Sequence, residues 1–589
     1  MTSVQPMPSG SPGPDGRQAE EDSFTIDRQI HAWQSQFTGG LSPAALLEAF
    51  SDWGIHLANA PAKQADLARK ACRKWIRFLH FAAQSALVPE APPAISPLPG
   101  DRRFDGADWQ RPPFSLLWQS FLLTQQWWHN ATTGVRGVDP RHADIVRFTV
   151  RQILDAGCPA NFPCTNPEVL RVTVQTAGDN LRRGWQNAAQ DAFRLVAGRP
   201  GDPDPRFQPG RTVAVTPGKV VHRNRLIELI RYAPATPTVF AEPILIVPAW
   251  IMKYYILDLS PANSLVRYLV DRGHTVFMIS WRNPDAGDRD LGMEDYLTLG
   301  PLAALQVIAK IMPDTAVHGV GYCLGGTLLA IAAAHLAALR RSPFRTLSML
   351  AAQVDFSEAG ELMLFINHSQ VTWLEDMMWD RGYLDTTQMA GAFQLLRSND
   401  LVWSRMIRQY LLGERPAPTD LTAWNADATR MPFRMHADYL RRLFLDNDLA
   451  EGRYSVRGKP VLLTDIEAPL FLVGTERDHI APWRSVYKLT WLSQSEATFV
   501  LASGGHNVGI VSPPATTDDH TSRAGYRIGA VVRDDHHVDP DSWAAGARRH
   551  GGSWWPAWAD WLAARSGERR TPPALATGPD APGTYVLQR

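Results

Sequence analysis

The sequence predicts an α/β protein in which a mostly parallel sheet is covered by helices on both faces, with a mostly helical region before it. Two patterns support this fold class. Beyond about residue 210, short β-branched or apolar runs alternate with helical ones. Before it, apolar residues recur at helical spacing alone, as at Leu46, Leu47, Phe50, Trp53 and Leu57.

Proline, glycine and serine mark the predicted domain boundaries. Residues 1–22 are rich in all three and are expected to form a disordered tail. The run from Gly198 to Gly210 is the best candidate boundary, which gives a mostly helical domain over 23–205 and a sheet domain over 206–589. Between a strand ending near Asp355 and one starting at Leu470 the chain is too long for a single crossover, so we predict an inserted, mostly helical cap over about 356–465.

Eight runs in the sheet domain have the length and the β-branched or apolar content of strands. They are Val213–Val215, Leu226–Tyr232, Ile244–Val247, Thr275–Ser280, Ala316–Val320, Thr346–Gln353, Leu470–Val473 and Thr498–Ala502.

Charge and cysteine content exclude several classes of protein. Lys+Arg and Asp+Glu both number 59, so no overall basic field attracts nucleic acid. Four cysteines and a start without a basic, apolar leader indicate a cytoplasmic protein. The uncharged stretch from Thr315 to Leu339 has the length of a membrane span, but its glycines favour a buried turn and helix instead, so no transmembrane segment is expected.

That stretch contains a strand, the pattern Gly321-x-Cys323-x-Gly325-Gly326, and then an apolar helix. This is the nucleophile elbow of the α/β-hydrolase fold, with cysteine in place of serine. Only glycine fits at the flanking positions of so tight a turn. Cys323 is therefore predicted to be a nucleophile rather than an inert buried thiol.

In this fold the acid and the histidine follow the nucleophile in that order. Asp478 lies just past a predicted strand and is the candidate orienting acid, with Glu476 as its rival. His506 follows the last predicted strand and two glycines, and is the candidate base.

Acyl transfer also needs two backbone donors for an oxyanion. The amide of Leu324, directly after Cys323, is one. The other belongs to the loop after Ile244–Val247. Pro248 has no N–H, which leaves Trp250 or Ile251, and Ile251 is preferred. No metal is expected, because Asp518-Asp519-His520 and Asp534-Asp535-His536-His537 lack ligand spacing.

Seven segments between about Asp101 and Trp561 match motifs of a known family. They are Asn161–Pro167, Thr216–Asn224, Lys253–Leu259, Ser280–Asp285, Gly321–Gly326, Trp424–Asp427 and Gly474–His479. Over this range the chain resembles polyhydroxyalkanoate synthases, which polymerise hydroxyacyl-CoA into polyester, and its long N-terminal region resembles their single-subunit type. The chain departs from the family at Met252, where asparagine is expected, and at Asn507-Val508-Gly509, where many relatives carry Ile-Gln-Ser.

The resemblance implies a triad of Cys323, His506 and Asp478. It also implies that (R)-3-hydroxyacyl-CoA, foremost 3-hydroxybutyryl-CoA, acylates the cysteine and releases CoA, with no cofactor beyond the CoA of the substrate. The family further implies a homodimer in the cytoplasm, bound at polyester granules alongside granule-coat proteins, with the N-terminal domain serving oligomerisation and granule association.

Two other functions stay open at this point. One is a thioesterase or polyester depolymerase that uses the same triad, and the other is a non-catalytic granule-associated protein. The N-terminal tryptophans Trp118, Trp127 and Trp128 are candidates for granule contact or for helix packing.

Overall fold

The structure is a computed structural model that describes residues 25–35, 38, 40–88, 91–196, 204–385, 402–514, 524–531, 538–575 and 577–589. The predicted tail 1–22 and the two acidic-histidine runs, Asp518–His520 and Asp534–His537, lie outside these residues.

The described chain forms two compact units. The sheet unit takes Met1–Ser42, Pro209–Met389 and Ala428–Arg589, and the helical unit takes Pro43–Gln208 and Ala390–Asp427. The middle of the expected cap therefore groups with the helical unit, whereas both of its ends group with the sheet unit. The boundaries predicted from the sequence stay predictions.

The helical unit begins with six helices whose first turns are set by local chemistry. Asp139 and Asn166 each accept hydrogen bonds from backbone amides of the turn that follows them, and a proline occupies the next position in both cases. The six are α1 (Pro43–Ala58), α2 (Pro61–Leu87), α3 (Phe114–Thr132), α4 (Pro140–Ala156), α5 (Pro167–Gln175) and α6 (Asp179–Val196). Two shorter helices, α12 (Ser404–Met406) and α13 (Asp420–Asn425), complete the described part of the unit.

A small aromatic core holds the start of α3. Trp118 is buried against Phe104 and Trp109, and its indole N–H donates to the Trp109 carbonyl at 3.0 Å. Trp127 donates to the Leu67 carbonyl at 3.0 Å and is partly buried. Trp118 is thus a packing residue and not a surface contact, whereas large apolar side chains are exposed on α2 and α6. These are Trp75, Ile76, Leu79, Leu87, Trp185 and Phe193.

Ten strands of the described chain form one sheet in the sheet unit. Those at its centre are parallel, and the two at each margin pair antiparallel. Its spatial order is β1-β2-β4-β3-β5-β6-β7-β8-β9-β10. The strands are β1 (Gly218–Arg223), β2 (Ile227–Tyr232), β3 (Ile244–Val247), β4 (Val276–Trp281), β5 (Val317–Tyr322), β6 (Phe344–Leu350), β7 (Leu470–Thr475), β8 (Ala497–Ala502), β9 (Gly525–Val531) and β10 (Arg548–Gly551).

Helices of the sheet unit pack on this sheet, as the fold class predicts, or on one another. They are α7 (Leu265–Asp271), α8 (Met293–Leu297), α9 (Ala303–Ile311), α10 (Leu324–Ala338), α11 (His368–Arg381), α14 (Phe433–Asp438), α15 (Trp483–Tyr487), α16 (Leu489–Leu492), α17 (Pro540–Gly546) and α18 (Trp555–Ala563). Two-residue and three-residue strands pair outside the main sheet, at Val239–Phe240 with Arg569–Arg570, Asp258–Ser260 with Asn263–Ser264, Tyr383–Leu384 with Met431–Pro432, and Ser455–Val456 with Lys459–Pro460.

Seven of the eight predicted strands overlap strands of the main sheet, and Ile244–Val247 has the bounds predicted for it. The prediction of Val213–Val215 is wrong. Val213 forms an isolated bridge with Pro209, and the chain bends at Ala214, whose φ of +52° is a left-handed conformation that interrupts an extended chain.

The uncharged stretch after β5 is a buried helix. α10 lies in the main apolar core, and all its residues up to Leu336 are buried. Across the described residues, no helix combines the length and the apolar content that crossing a bilayer requires.

The described residues of 25–42, hereafter the N-terminal segment, pack on α11 within the sheet unit. His31 Nδ1 lies 2.7 Å from Asp376 Oδ2, and the rings of His31 and Trp373 are 4.7 Å apart. The Ser42 amide donates to Gln370 at 2.7 Å, and Gln370 donates to the Gly40 carbonyl at 2.7 Å. Sequence spacing gave no indication of this contact.

Candidate active site

Cys323 stands at the bend between β5 and α10. Its φ is +52° and its ψ is −126°, a conformation that costs a non-glycine residue on the order of 1–3 kcal/mol. The surrounding hydrogen bonds hold it there, because the Cys323 amide donates to the Leu350 carbonyl at 2.9 Å and the Cys323 carbonyl accepts from Gly326 at 2.8 Å. The side chain is partly exposed, as a reacting sulfur must be.

The three glycines predicted for the elbow each face a neighbour that leaves no room for a side chain. A Cβ at Gly321 would collide with the backbone of Gly326, and one at Gly326 would collide with Ala352. A Cβ at Gly325 would collide with the Val247 carbonyl oxygen. The first turn of α10 therefore packs directly on the end of β3, where the candidate oxyanion loop begins.

The loop after β7 carries Asp478, whose side chain is fully buried. One carboxylate oxygen accepts from the amides of Ile480 and Ala481, at 2.9 and 2.8 Å. The other accepts from Thr475 and lies 2.7 Å from His506 Nδ1. Glu476, the rival acid, is exposed.

His506 lies in the loop after β8, buried between the two other candidate residues. Burial alone would lower its pKa, but the negative charges of Asp478 and Cys323 and hydrogen bonds to both raise that pKa well above its ordinary value. For Asp478, burial opposes ionisation, and the charge and hydrogen bond of His506 outweigh it and lower the pKa. The imidazole thus connects the carboxylate to the sulfur, although the triad itself stays a prediction.

The two candidate oxyanion donors are backbone amides at the start of α10 and in the loop after β3. Leu324 is the first residue of α10, so its amide has no partner four residues earlier within the helix. In the loop after β3, Thr429 donates to the carbonyls of Trp250 and Ile251. The carbonyl of Trp250 and the amide of Ile251 share one planar trans peptide and point in opposite directions, so the Ile251 N–H points away from Thr429.

Three further residues lie beside this site. The sequence singled out one of them, Asn507, as a departure from the family, and gave no role to Tyr322 or Tyr439. Tyr322 donates its hydroxyl to Asn507 Oδ1 at 2.7 Å, and its ring lies 5.7 Å from that of His506. Tyr439 begins a π-helical turn, Tyr439–Leu445, and burial together with the nearby charge of Cys323 raises its pKa. Tyr322 and Asn507 are adjacent to predicted residues, but 185 positions separate them, so spacing alone could not pair them.

Known proteins resemble most of this chain. A poly(3-hydroxyalkanoate) polymerase of Methylorubrum extorquens is 42% identical over 84% of this chain and 82% of its own length. The chain belongs to the poly(3-hydroxyalkanoate) polymerase family. The poly(3-hydroxyalkanoate) polymerase subunit PhaC of Cupriavidus necator is 36% identical over 90% of this chain and 89% of its own length.

Family profiles agree with membership of the polymerase family. One described as poly-beta-hydroxybutyrate polymerase (PhaC) N-terminus matches residues 100–269, and one described as poly-beta-hydroxybutyrate polymerase N terminal matches 21–63. The alpha/beta hydrolase fold profile matches 242–513, and the fold class predicted from the sequence is confirmed. Among solved structures, a monoacylglycerol lipase of Paleococcus ferrophilus is 14% identical over 58% of this chain and 99% of its own, with a TM-score of 0.30.

Proposed function

We propose that this chain polymerises (R)-3-hydroxyacyl groups, foremost 3-hydroxybutyryl, from their CoA thioesters through a thioester on Cys323. The observation that carries the proposal is the position of His506, hydrogen-bonded to the buried Asp478 on one side and to Cys323 on the other. Membership of the polymerase family supports the same reaction.

In the first step, the thiol proton of Cys323 passes to His506 Nε2 and the sulfur attacks the thioester carbon of the substrate. Asp478 keeps Nδ1 protonated and stabilises the imidazolium. The tetrahedral oxyanion is held by the amides of Leu324 and Ile251. Its collapse breaks the bond to CoA, which leaves as the thiol after taking the proton from His506.

In the second step, the 3-hydroxyl of a chain end gives its proton to His506 while its oxygen attacks the Cys323 thioester carbon. The carbon–sulfur bond to Cys323 breaks, an oxoester forms, and the proton returns to the sulfur. A thioester on cysteine keeps the activation of the CoA thioester, so formation of the oxoester stays downhill. The reaction as proposed uses no metal or cofactor besides the CoA of the substrate.

Water has to be excluded, since it would hydrolyse the acyl-enzyme. The π-helical turn that begins at Tyr439 supports a covering role, because the phenol is near the sulfur. The bidentate ion pair of Arg441 with Glu375, at 2.6 Å, fastens this turn to α11.

The test supplies labelled 3-hydroxybutyryl-CoA to the full chain and to Cys323→Ala. We expect CoA release, precipitated polyester and a labelled peptide containing Cys323 from the first, and none of the three from the second. Cys72→Ala is the matched control, because Cys72 is an exposed thiol on α2. Polymer formation by Cys323→Ala would refute the proposal.

Hydrolysis is the competing reaction, because a thioesterase or depolymerase needs the same three residues. The same assay separates the two functions by their products. Free 3-hydroxybutyrate without polymer would identify a hydrolase, and unchanged CoA release after Cys323→Ala would favour a non-catalytic granule protein.

The proposal extends to the place where the product collects: a homodimer in the cytoplasm at the surface of polyester granules, alongside granule-coat proteins. The exposed Trp75, Ile76 and Leu79 on α2 support adhesion to an apolar polymer. The triple variant with serine at these positions is expected to remain in the supernatant when polyester particles are sedimented, whereas the unsubstituted chain sediments with them.

A further inference from the structure

Tyr322 and Asn507 flank the two proposed reacting residues. Tyr322 directly precedes Cys323 at the end of β5, and Asn507 directly follows His506 after β8. The hydroxyl of Tyr322 donates to Asn507 Oδ1 at 2.7 Å. One hydrogen bond between side chains therefore ties the turn that carries the sulfur to the loop that carries the imidazole.

The donor of this bond is buried, whereas its acceptor, Asn507, is partly exposed. Tyr322 is 2% exposed, and loss of the partner of a buried polar group costs more than an exposed hydrogen bond contributes. The ring also lies against the imidazole, with centroids 5.7 Å apart and planes tilted by 37°. Tyr322 thus restrains the histidine loop by its hydroxyl and the imidazole by its ring.

Tyr322 is a donor and not a base. Burial, followed by the negative charges of Cys323 and Asp478, raises its pKa well above the ordinary value. The phenol therefore keeps its proton at neutral pH and can donate to Asn507 throughout the reaction.

Other hydrogen bonds hold the described part of the histidine loop through its backbone. Ser503 donates to the Gly525 carbonyl at 2.8 Å and Gly509 donates to the Gly505 carbonyl at 2.8 Å. The indoles of Trp554 and Trp555 donate to the carbonyls of Gly509 and Ile510, both at 2.9 Å. The imidazole itself is held by Asp478 on its Nδ1 side. The Tyr322–Asn507 bond adds a side-chain link between this loop and the strand of the nucleophile.

We propose that Tyr322 and Asn507 are a positioning pair that sets the separation of the Cys323 sulfur from the His506 imidazole. The proposal rests on the proposed function only for its effect on turnover. It also explains in physical terms why this chain carries asparagine at a position where the family resemblance predicts isoleucine: the amide oxygen accepts the buried phenol.

The test compares Tyr322→Phe, Asn507→Leu and the double variant with Tyr585→Phe. Tyr585 donates its hydroxyl to the Asn224 carbonyl, also at 2.7 Å, so its variant controls for loss of one phenol hydrogen bond. Two quantities are measured: the rate of the first CoA release in a single turnover, and the pH profile of alkylation at the Cys323 peptide by iodoacetamide. Alkylation of the exposed Cys72 is the internal reference.

We expect Tyr322→Phe to slow single-turnover acylation by about tenfold or more, with KM within about twofold. We also expect it to change the pH profile of Cys323 alkylation, because that profile depends on the position of the imidazole beside the sulfur. The double variant should lose no more than Tyr322→Phe, because both changes break one bond. Tyr585→Phe should leave both measurements as in the unsubstituted chain.

Acylation by Tyr322→Phe within twofold of Tyr585→Phe would overturn the proposal, as would additive losses in the double variant. The alkylation profile needs no substrate, so it distinguishes this outcome from failure of the proposed function. If the unsubstituted chain releases no CoA, an unchanged profile in Tyr322→Phe still refutes the positioning pair, and a shifted one supports it.

Discussion

Two buried imidazoles, one near the amino end of a sheet strand and one after the carboxyl end of another, have pKa values that shift in opposite directions. His318, on β5 five residues before Cys323, lies between the hydroxyls of Thr346 and Ser566 at 2.8 and 3.0 Å. Burial, with a small contribution from the positive charge of Arg345, lowers its pKa to about 4. His506 is buried as well, yet Asp478 and Cys323 raise its pKa. The difference shows that the neighbouring anions, and not burial, make an imidazole basic here.

A third histidine shows that the distance to a carboxylate and the burial of the pair are separate factors. His31 Nδ1 and Asp376 Oδ2 are 2.7 Å apart, as are His506 Nδ1 and Asp478 Oδ2. The side chain of His31 is 37% exposed and that of His506 is 8% exposed. Water screens the first pair and not the second, so equal distances predict unequal consequences.

The largest effect is expected from Asp478→Asn, which removes the carboxylate from His506 and keeps the shape of the side chain. CoA release should fall by about 10³–10⁴-fold, because the amide stabilises neither the tautomer nor the imidazolium. Glu476→Gln, an exposed acid two residues away, should stay within about twofold. Equal losses in the two variants would contradict the role of Asp478.

The next largest effect is that of pH on the free energy of unfolding. His318 makes this free energy fall as the pH falls, and His506 makes it fall as the pH rises. The native pKa of His318 is about 4, below the ordinary value of 6.5, so the unfolded chain binds its proton first as the pH falls. The free energy of unfolding should therefore decrease between pH 6.5 and 4, by about 3 kcal/mol from this residue. The raised pKa of His506 acts above pH 6.5, where stability should decrease as the pH rises.

Urea unfolding followed by tryptophan fluorescence at pH 4.5, 5.5 and 7 measures the acid side. His318→Gln should remove part of the dependence of the free energy of unfolding on pH. Another part should remain, because His274 still titrates. Burial, and then the charge of His318, lowers the pKa of His274 to about 3. Asp478→Asn should reduce the loss of stability above pH 7, which the same unfolding experiment at pH 8 and 9 measures, because the anion that raises the pKa of His506 is then absent. An acid dependence unchanged by His318→Gln would show that burial does not hold that imidazole neutral.

Thr346→Asp tests the comparison in the other direction, by giving His318 the anion that it lacks. Thr346 Oγ1 lies 2.8 Å from His318 Nδ1, so a carboxylate at this position would meet the same nitrogen as Asp478 meets in His506. The pKa of His318, followed by NMR, should rise from about 4 to above 6.5, a change of roughly 3 kcal/mol. Thr346→Asn, neutral and of the same size as aspartate, should leave it low.

The smallest effect is expected from Asp376→Asn, which breaks the partly exposed pair with His31. Its loss should lower the free energy of unfolding by less than about 1 kcal/mol, and added salt should reduce the difference further. A loss as large as that of Asp478→Asn in the same urea experiment would mean that distance matters more than burial.

The sequence predicted the centre of the sheet better than its margins. β3, buried and flanked by turns, has the predicted bounds, whereas β1, β9 and β10 were missed. Most of their residues are partly or fully exposed, and an edge strand with Arg548, Arg549 and His550 lacks the apolar run that identifies a buried strand. The elbow was predictable because its glycines are a local requirement of a turn.

Contacts between residues distant in sequence were not predictable. Tyr322 with Asn507 and His31 with Asp376 are joined only by the folded chain, and neither leaves a periodicity or a spacing. The sequence could not decide between surface contact and packing for the N-terminal tryptophans, for a related reason. Composition gives the number of tryptophans but not which of them are buried. Trp118 was therefore a candidate for surface contact, although Phe104 and Trp109 bury it.

The N-terminal segment also sets a limit on where the chain can be shortened. Gln370, at the start of α11, is only 4% exposed, because Gly40 and Ser42 occupy both ends of its amide. A protein beginning at Pro43 would keep every helix and strand named above and still leave that amide open to solvent. The truncated protein would then keep its first helix, α1, but α11, more than 300 positions later in the chain, would lose the residues that bury Gln370.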